Sequence, residues 1–458
     1  MTDLAQSLRE IVGADRLSVT DADRDLHAHD DSYNEPVRPD LVVWPRSTAE
    51  VAEIARLANE TSTPITAWGA ASSAGGHVIP VRRGIVMDFE QMNRIVEVDH
   101  ANFQAVVQPG VLRLDLEDHL SRQGLFFAPD PGANATVGGM IANNAAGVRA
   151  LKYGATRDNV LGLEVVLANG SIVRTGSRSI KQSSGYQLTQ IFVGSEGTLG
   201  LVTEATLKLR PIPSHVATAI VGFPTVEAAA AAVADIMGLA LEPAALELLA
   251  ADHLRWMNED EATSFAEVPT MLIEFTDASA TSVEERMEAA ISICRDHGAI
   301  EVGAVTDHAE RANLWRVRHG VRHRYRRRLA GGAWIGMDVS VPVASFAELV
   351  SYAIASAEQN GFPGAVLGHA GDGNLHLGLG YPPGDDDARS RAHLVSGLLV
   401  DKAIELGGTC SGEHGIGLDK RGYMTAEHGR AAVEAMRAIK TALDPHNILN
   451  PEKVLPEP

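Results

Sequence analysis

The run Gly368-His369-Ala370-Gly371-Asp372-Gly373-Asn374-Leu375-His376 sets two histidines on either side of an Asp-Gly pair. Asp-Gly between residues able to run extended marks a tight hairpin, because glycine accepts the positive φ that a two-residue turn needs. Centring the turn on Asp372-Gly373 predicts that His369 faces His376. Directly opposed residues on one face of an antiparallel pair have Cβ atoms about 4.5–5.5 Å apart, so the two imidazoles can converge on one cation. Further along, Gly412-Glu413-His414-Gly415-Ile416-Gly417 offers a carboxylate and a third imidazole in a glycine-lined turn. His369, His376 and Glu413 form a sensible ligand set for a divalent metal with open positions, and His414 is left as a base. A histidine pair across a hairpin is also compatible with a plain hydrogen-bonded pair. The glycine density of both segments favours the metal reading, since glycine costs backbone entropy and clusters where something approaches the backbone closely.

Outward from the hairpin, helical stretches (225–241, 282–297, 308–328, 345–360, 386–406) alternate with strand candidates (216–223, 270–276, 299–305, 333–341, 364–380). Strands separated by long helices predict an α+β layer with helices on one face of a sheet. Before Pro211-Ile212-Pro213 the texture differs: short β-rich runs such as Leu41-Val42-Val43-Trp44 and Ile85-Val86-Met87, punctuated by glycine. A helix is expected from Thr48 to Thr61, with Ser47 or Thr48 as N-cap. The expected division is an N-terminal helix and connector (1–36), a glycine-punctuated β-rich domain (37–211), a second α+β domain (212–405) and a C-terminal segment (406–458).

Composition narrows the function classes. At 458 residues the chain exceeds one ordinary core. With 39 Lys+Arg against 59 Asp+Glu, a net of −20, it lacks the basic footprint of bulk nucleic-acid binding. Met1 to Glu10 carries no apolar h-region, and the alanine-rich stretch 228–241 is too short to span a bilayer. Two cysteines, Cys294 and Cys410, rule out an iron–sulfur cluster held by this chain alone and are expected as reduced thiols. A cytoplasmic protein is expected.

Three glycine clusters punctuate the β-rich domain: Gly69-Ala70-Ala71-Ser72-Ser73-Ala74-Gly75-Gly76, Pro131-Gly132-Ala133-Asn134-Ala135-Thr136-Val137-Gly138-Gly139 and Gly194-Ser195-Glu196-Gly197-Thr198-Leu199-Gly200. Successive N–H groups in small-residue turns form concavities that bind anions. Neither a Walker A loop nor a dinucleotide fingerprint is present. Three clusters in one domain point to an extended, phosphate-bearing cofactor, and Asn143-Asn144-Ala145-Ala146-Gly147 adds polar groups for a heterocycle edge.

At these residues the chain resembles the FAD-linked oxidases with the vanillyl-alcohol-oxidase (PCMH-type) flavin fold, specifically their D-2-hydroxy-acid dehydrogenase branch. Matching segments include Pro39 to Val43, Val107-Gln108-Pro109-Gly110-Val111, Pro131 to Gly147, Tyr153 to Asp158, Phe192 to Gly200, the hairpin, Gly412 to Gly417 and Asn450-Pro451. The resemblance implies an FAD-binding domain, a cap domain for substrate and a C-terminal segment returning to the flavin domain. It implies non-covalent FAD with its pyrophosphate near 69–76 and its flavin edge facing residues of 132–147 and 194–203, Val202 included, with Asn450 also at the cofactor. Relatives often read Arg-Gly-Gly-Gly-Thr-Ser where this chain has Trp68-Gly69-Ala70-Ala71-Ser72-Ser73, which keeps the residues small.

The resemblance also makes Arg318 the clamp on a substrate carboxylate, a role that suits the guanidinium fork. Asn374 is expected to orient the substrate. The metal, Zn or Mn with Fe also compatible, would hold the 2-hydroxyl, and His414 would take its proton. Arginines 316, 318, 322, 324, 326, 327 and 328 crowd one helix. Arg322 shares a helical face with Arg318 and is a candidate second clamp, while the run otherwise reads as a solvated face or a docking patch for anionic lipid or an acidic partner. Dicarboxylate-using relatives tend to place a lysine where this chain has Gly336, which favours D-lactate or glycolate over D-2-hydroxyglutarate. A non-dehydrogenase of the same flavin fold is the remote alternative. The electron acceptor would be a separate quinone, electron-transfer flavoprotein or cytochrome, and a homodimer or peripheral membrane contact stays open.

Overall fold

The computed structural model describes residues 2–457 apart from 262, 306 and 329–331, and only the backbone of 2, 3, 261, 308, 317, 319, 322, 323 and 326. Two compact units result. The first comprises Met1–Ala146, Gly154–Ile212 and Glu413–Pro458; the second comprises Gly147–Tyr153 and Pro213–Gly412.

In the first unit, strands Leu17–Ser18, Leu41–Val43, Ile85–Asp88 and Ile65–Trp68 lie side by side in that order, the last three mutually parallel. Helix Thr48–Glu60 crosses between two of them. Ser47 Oγ accepts the Glu50 N–H (3.3 Å) at its start, and Val51, Ile54, Ala55 and Ala58 give it one buried face. Full burial of a residue such as Ile54 stabilises by about 1.5–3 kcal/mol. A second, antiparallel sheet is built around Leu201–Pro211, whose residues alternate buried and half-buried with the period of a strand. The C-terminal strap closes this unit: Ile65 N–H donates to Ile448 O (2.7 Å) and Asn450 N–H to Ile65 O (2.8 Å).

The second unit is one seven-stranded antiparallel sheet. Its spatial order is Glu301–Val305, His215–Gly222, Thr270–Asp277, Ala245–Leu249, Val366–His369, Asn374–Tyr381 and Ala333–Ser340. Helices Val226–Gly238, Ala280–Asp296, Phe346–Gln359 and Asp386–Glu405 pack on it and on one another, an α+β arrangement.

Three local expectations need correction. The central strand Ala245–Leu249 and helix Ala251–Glu261 were not foreseen: all five strand residues are buried, so the alternation that announces a strand is absent. The single helix expected over 308–328 is two, His308–His319 and Val321–Arg328, separated at Gly320. The hairpin register also differs. His369 pairs with Asn374, and His376 with Leu367. Residues Ala370–Asp372 curl into a 3-10 turn, and Gly373 closes it at φ 76°, where a Cβ would fall 1.9 Å from Val341 O. The turn therefore holds four residues, and the two histidines are diagonal neighbours on one face.

Candidate active site

In the first unit the three glycine clusters come together. A Cβ on Gly69 would lie 2.4 Å from Thr136 Oγ1, while the N–H groups of Gly194 and Glu196 donate to Ile141 O and Ala142 O, each at 2.9 Å. Thr136 Oγ1 accepts the Gly139 N–H (3.2 Å) to start helix Val137–Asn143, and Gly138 N–H donates to Pro109 O. Gly69 to Ser73, Pro131, Gly132, Asn143 and Ala145 stay at least partly accessible, above buried Gly75, Thr136 and Glu196. Gly197 faces Ala67, Gly200 lies against Val165, and Val202 pairs with Val165 across the sheet. Gly147, expected at the flavin, belongs to the second unit.

The returning segment is threaded through this region by its glycines. The Glu196 carboxylate accepts the N–H of Ile416 (2.6 Å) and Gly417 (2.9 Å), and Leu418 N–H donates to Gly75 O (2.8 Å). At Gly417, with φ 55°, a Cβ would sit 2.1 Å from Gly75 O. Asn450 Nδ2 ties His77 O (2.9 Å) to Glu196 O (2.7 Å), and Asn143 Nδ2 donates to His414 O (3.4 Å). The Glu196 carboxylate and Asn450 Nδ2 thus serve to position these loops. Asp30, unnoticed in the sequence, accepts from Ser73 Oγ and from the N–H groups of Gly76 and His77. Nothing about an isolated aspartate in a polar connector signals that role.

Buried polar atoms lacking a hydrogen-bond partner test whether a bound group fits here. Both ring nitrogens of His77, a residue 3% exposed, have none among the described residues, and Glu196 Oε1 stands 3.6 Å away, beyond bonding range. Asn450 Oδ1 is likewise without a partner. An accessible floor of small residues beside unanswered donors and acceptors fits FAD.

The second unit gathers the charged candidates. Arg318, at 6% exposure, turns inward and donates through Nε (3.0 Å) and Nη2 to Glu247 Oε2. Glu247 Oε1 stands 2.6 Å from His369 Nδ1. Burial pushes the Glu247 carboxyl up, but Arg318 and His369 together hold it below the usual carboxylate range. The rings of His369 and His376 lie edge to face with centroids 5.2 Å apart. Asp338, fully buried, stands 3.8 Å from His376 Nδ1 and accepts from Asn374 Nδ2 (2.8 Å) and Ser411 Oγ (3.0 Å). With Nδ1 turned to a carboxylate, the lone pair of an imidazole is presented at Nε2, which suits a cation. Glu413 and His414 directly follow Gly412, the last residue of this unit.

The arginine run is not a plain solvated face. Arg324 is 1% exposed, and Arg327 and Arg328 pair with Asp260, with Arg328 also on Glu259. The Arg322 side chain lies outside the described residues. Cys294 and Cys410 are both buried and not joined as a disulfide. Among the described residues no helix is long and apolar enough to cross a membrane.

The fold is that of a PCMH-type flavoprotein. The solved structure of p-cresol methylhydroxylase with substrate bound superposes with a TM-score of 0.81 at 17% identity, covering 99% of this chain and 96% of that one. Residues 39–176 match the FAD binding domain family and residues 212–454 the C-terminal domain of FAD linked oxidases. The chain is 38% identical to glycolate oxidase subunit GlcD of Bacillus subtilis, covering 99% of this chain and 96% of the relative. It is 35% identical to the mitochondrial D-lactate dehydrogenase [cytochrome] of Arabidopsis thaliana, over 99% of this chain and 80% of the relative. The protein belongs to the FAD-linked oxidase family, in the branch of these relatives, and is an FAD-dependent oxidoreductase acting on CH–OH donors.

Proposed function

We propose that the protein oxidises a small D-2-hydroxy acid, D-lactate or glycolate, to the corresponding 2-oxo acid. The observation that carries this reading is the diagonal histidine pair of the second unit, set beside the buried Arg318. Support comes also from relatives named for D-lactate and glycolate. Glu247 holds the guanidinium of Arg318 from its Nε–Nη2 side, which leaves the Nη1 side for a substrate carboxylate. His369, His376 and Glu413 are the proposed ligands of a divalent cation, Zn or Mn with Fe tolerated. Such a cation lowers the pKa of a hydroxyl bound to it. His414 takes the hydroxyl proton, and Asn374, fixed by Asp338 and Val339 O, orients the substrate. FAD, held non-covalently by the loops around Gly69, Thr136 and Gly197, supplies the hydride acceptor.

This chain has Gly336 where dicarboxylate-using relatives tend to place a lysine, so it lacks that charge for a second carboxylate, and D-2-hydroxyglutarate is the weaker substrate reading. A separate acceptor, cytochrome, quinone or flavoprotein, re-oxidises the flavin; the cytochrome in the Arabidopsis relative's name supports this. We place the protein in the cytoplasm.

An anaerobic absorption spectrum tests the reading, taken before and after D-lactate, L-lactate, glycolate and D-2-hydroxyglutarate. Bleaching of the flavin band fastest by D-lactate or glycolate is expected; a band that none of them bleaches overturns it. His414→Ala is expected to retain FAD and slow this bleaching by roughly 10²–10⁴-fold. Near-normal reduction in that variant sinks the base assignment.

A further inference from the structure

A glutamate at the centre of a seven-stranded sheet is costly. Glu247 is 1% exposed on the fourth strand, in a run whose other four residues are alanine and leucine. Replacing a buried ion pair with well-packed apolar residues is often neutral or stabilising, so stability alone gives no reason for this carboxylate to be there. Its placement does. Glu247 is the direct cross-strand partner of His369, as Asp338 is of His376. The two oxygens of Glu247 are divided: Oε1 on His369 Nδ1 at 2.6 Å, Oε2 on Arg318 Nε at 3.0 Å and on Nη2. Asp338 is set differently, 3.8 Å from its histidine, with its oxygens on Asn374 and Ser411.

We propose that Glu247 is a positioning residue shared by two functions, one carboxylate that fixes both the cation-facing tautomer of His369 and the guanidinium of Arg318. The inference rests on the proposed cation site and deepens it. Accepting the Nδ1 proton keeps the His369 lone pair at Nε2 and raises its basicity, as outer carboxylates do for ligating histidines. The same side chain aims the fork that meets the substrate carboxylate. Losing it therefore weakens cation affinity and substrate affinity together, through one residue that touches neither.

The test uses the full-length, FAD-loaded protein stripped of metal and titrated with Zn²⁺ against a competing chelator. Glu247→Gln is expected to bind Zn²⁺ roughly 10–100-fold more weakly with its flavin retained. At saturating Zn²⁺ its kcat recovers while KM for the hydroxy acid stays raised. If the leftover Arg318 charge prevents folding, Glu247→Gln combined with Arg318→Gln carries the same expectation for Zn²⁺. A variant whose melting temperature falls but whose Zn²⁺ affinity stays within twofold of wild type overturns the inference and leaves the cation site standing. Wild-type protein that binds no Zn²⁺, yet whose flavin D-lactate bleaches, overturns the cation site and the inference with it.

Discussion

The candidate residues of the first unit meet through the backbone, whereas those of the second meet through charged side chains. Around the glycine clusters, loops touch by N–H to carbonyl bonds and by the absence of Cβ atoms: Gly69 on Thr136, Gly194 on Ile141, Gly417 on Gly75. Around the hairpin, Arg318, Glu247 and His369 are held by one another's charges, and Asp338 is held beside His376 by Asn374 and Ser411, in a buried sheet. The first kind of site depends above all on space, with Glu196, Asp30 and Asn450 tethering its loops; the second depends on matched charge.

The largest expected effect tests the charge side. Arg318→Gln leaves Glu247 buried with one partner gone, a loss of about 3–5 kcal/mol of stability, to be read from urea unfolding. A loss below about 1 kcal/mol would erase the contrast. Gly417→Ala tests the space side. Its Cβ has no room beside Gly75 O, so about 1–3 kcal/mol of overpacking strain and faster flavin release on dilution are expected, with flavin fluorescence as the measurement. Unchanged release would mean that the strap does not shape the cofactor loops.

Acid sharpens the comparison. Burial holds the His253 imidazole, which donates to Ala365 O, down at about 3. Its folded pKa is depressed, so the unfolded chain binds the proton first as pH falls. Stability is then full above about pH 6.5 and falls by about 1.4 kcal/mol per unit between 6.5 and 3 from this group. Urea midpoints at pH 7 and 5 should converge in His253→Gln, and an equally steep fall in that variant would assign the acid limb elsewhere. The smallest effect belongs to an exposed pair of the first unit, Arg56 and Glu60 at 2.7 Å. Glu60→Gln should change stability by no more than about 0.5 kcal/mol, and a larger change would show that surface charge matters there as well.

The same contrast explains what could be read in the sequence. Glycine clusters announce themselves, because few other demands concentrate glycine, and the three that stood out do converge. Helix Thr48–Glu60 was equally plain from its cap and spacing. The hairpin was legible as a turn but not in register: Asp-Gly marks where the chain reverses, and the 3-10 curl of Ala370–Asp372 depends on contacts made elsewhere. Glu247 was invisible, since one charge in a short apolar run looks like a surface residue until strands cover both its sides. Asp30 and the tethering role of Asn450 depend on partners distant in sequence, and no local pattern encodes those.

The order of the segments has a consequence for synthesis. Ile65 on an early strand bonds to Ile448 and Asn450, almost four hundred residues later. A chain emerging from the ribosome therefore builds a first unit that lacks its closing strap until the residues after Glu413 have been made, while the two hundred residues of Pro213–Gly412 can already fold. The loops named for the cofactor share that wait, since the Glu196 carboxylate, Glu196 O and His77 O accept from residues after Glu413. A chain cut before Glu413 is thus expected to hold a folded second unit beside a first unit whose cofactor loops lack their tethers.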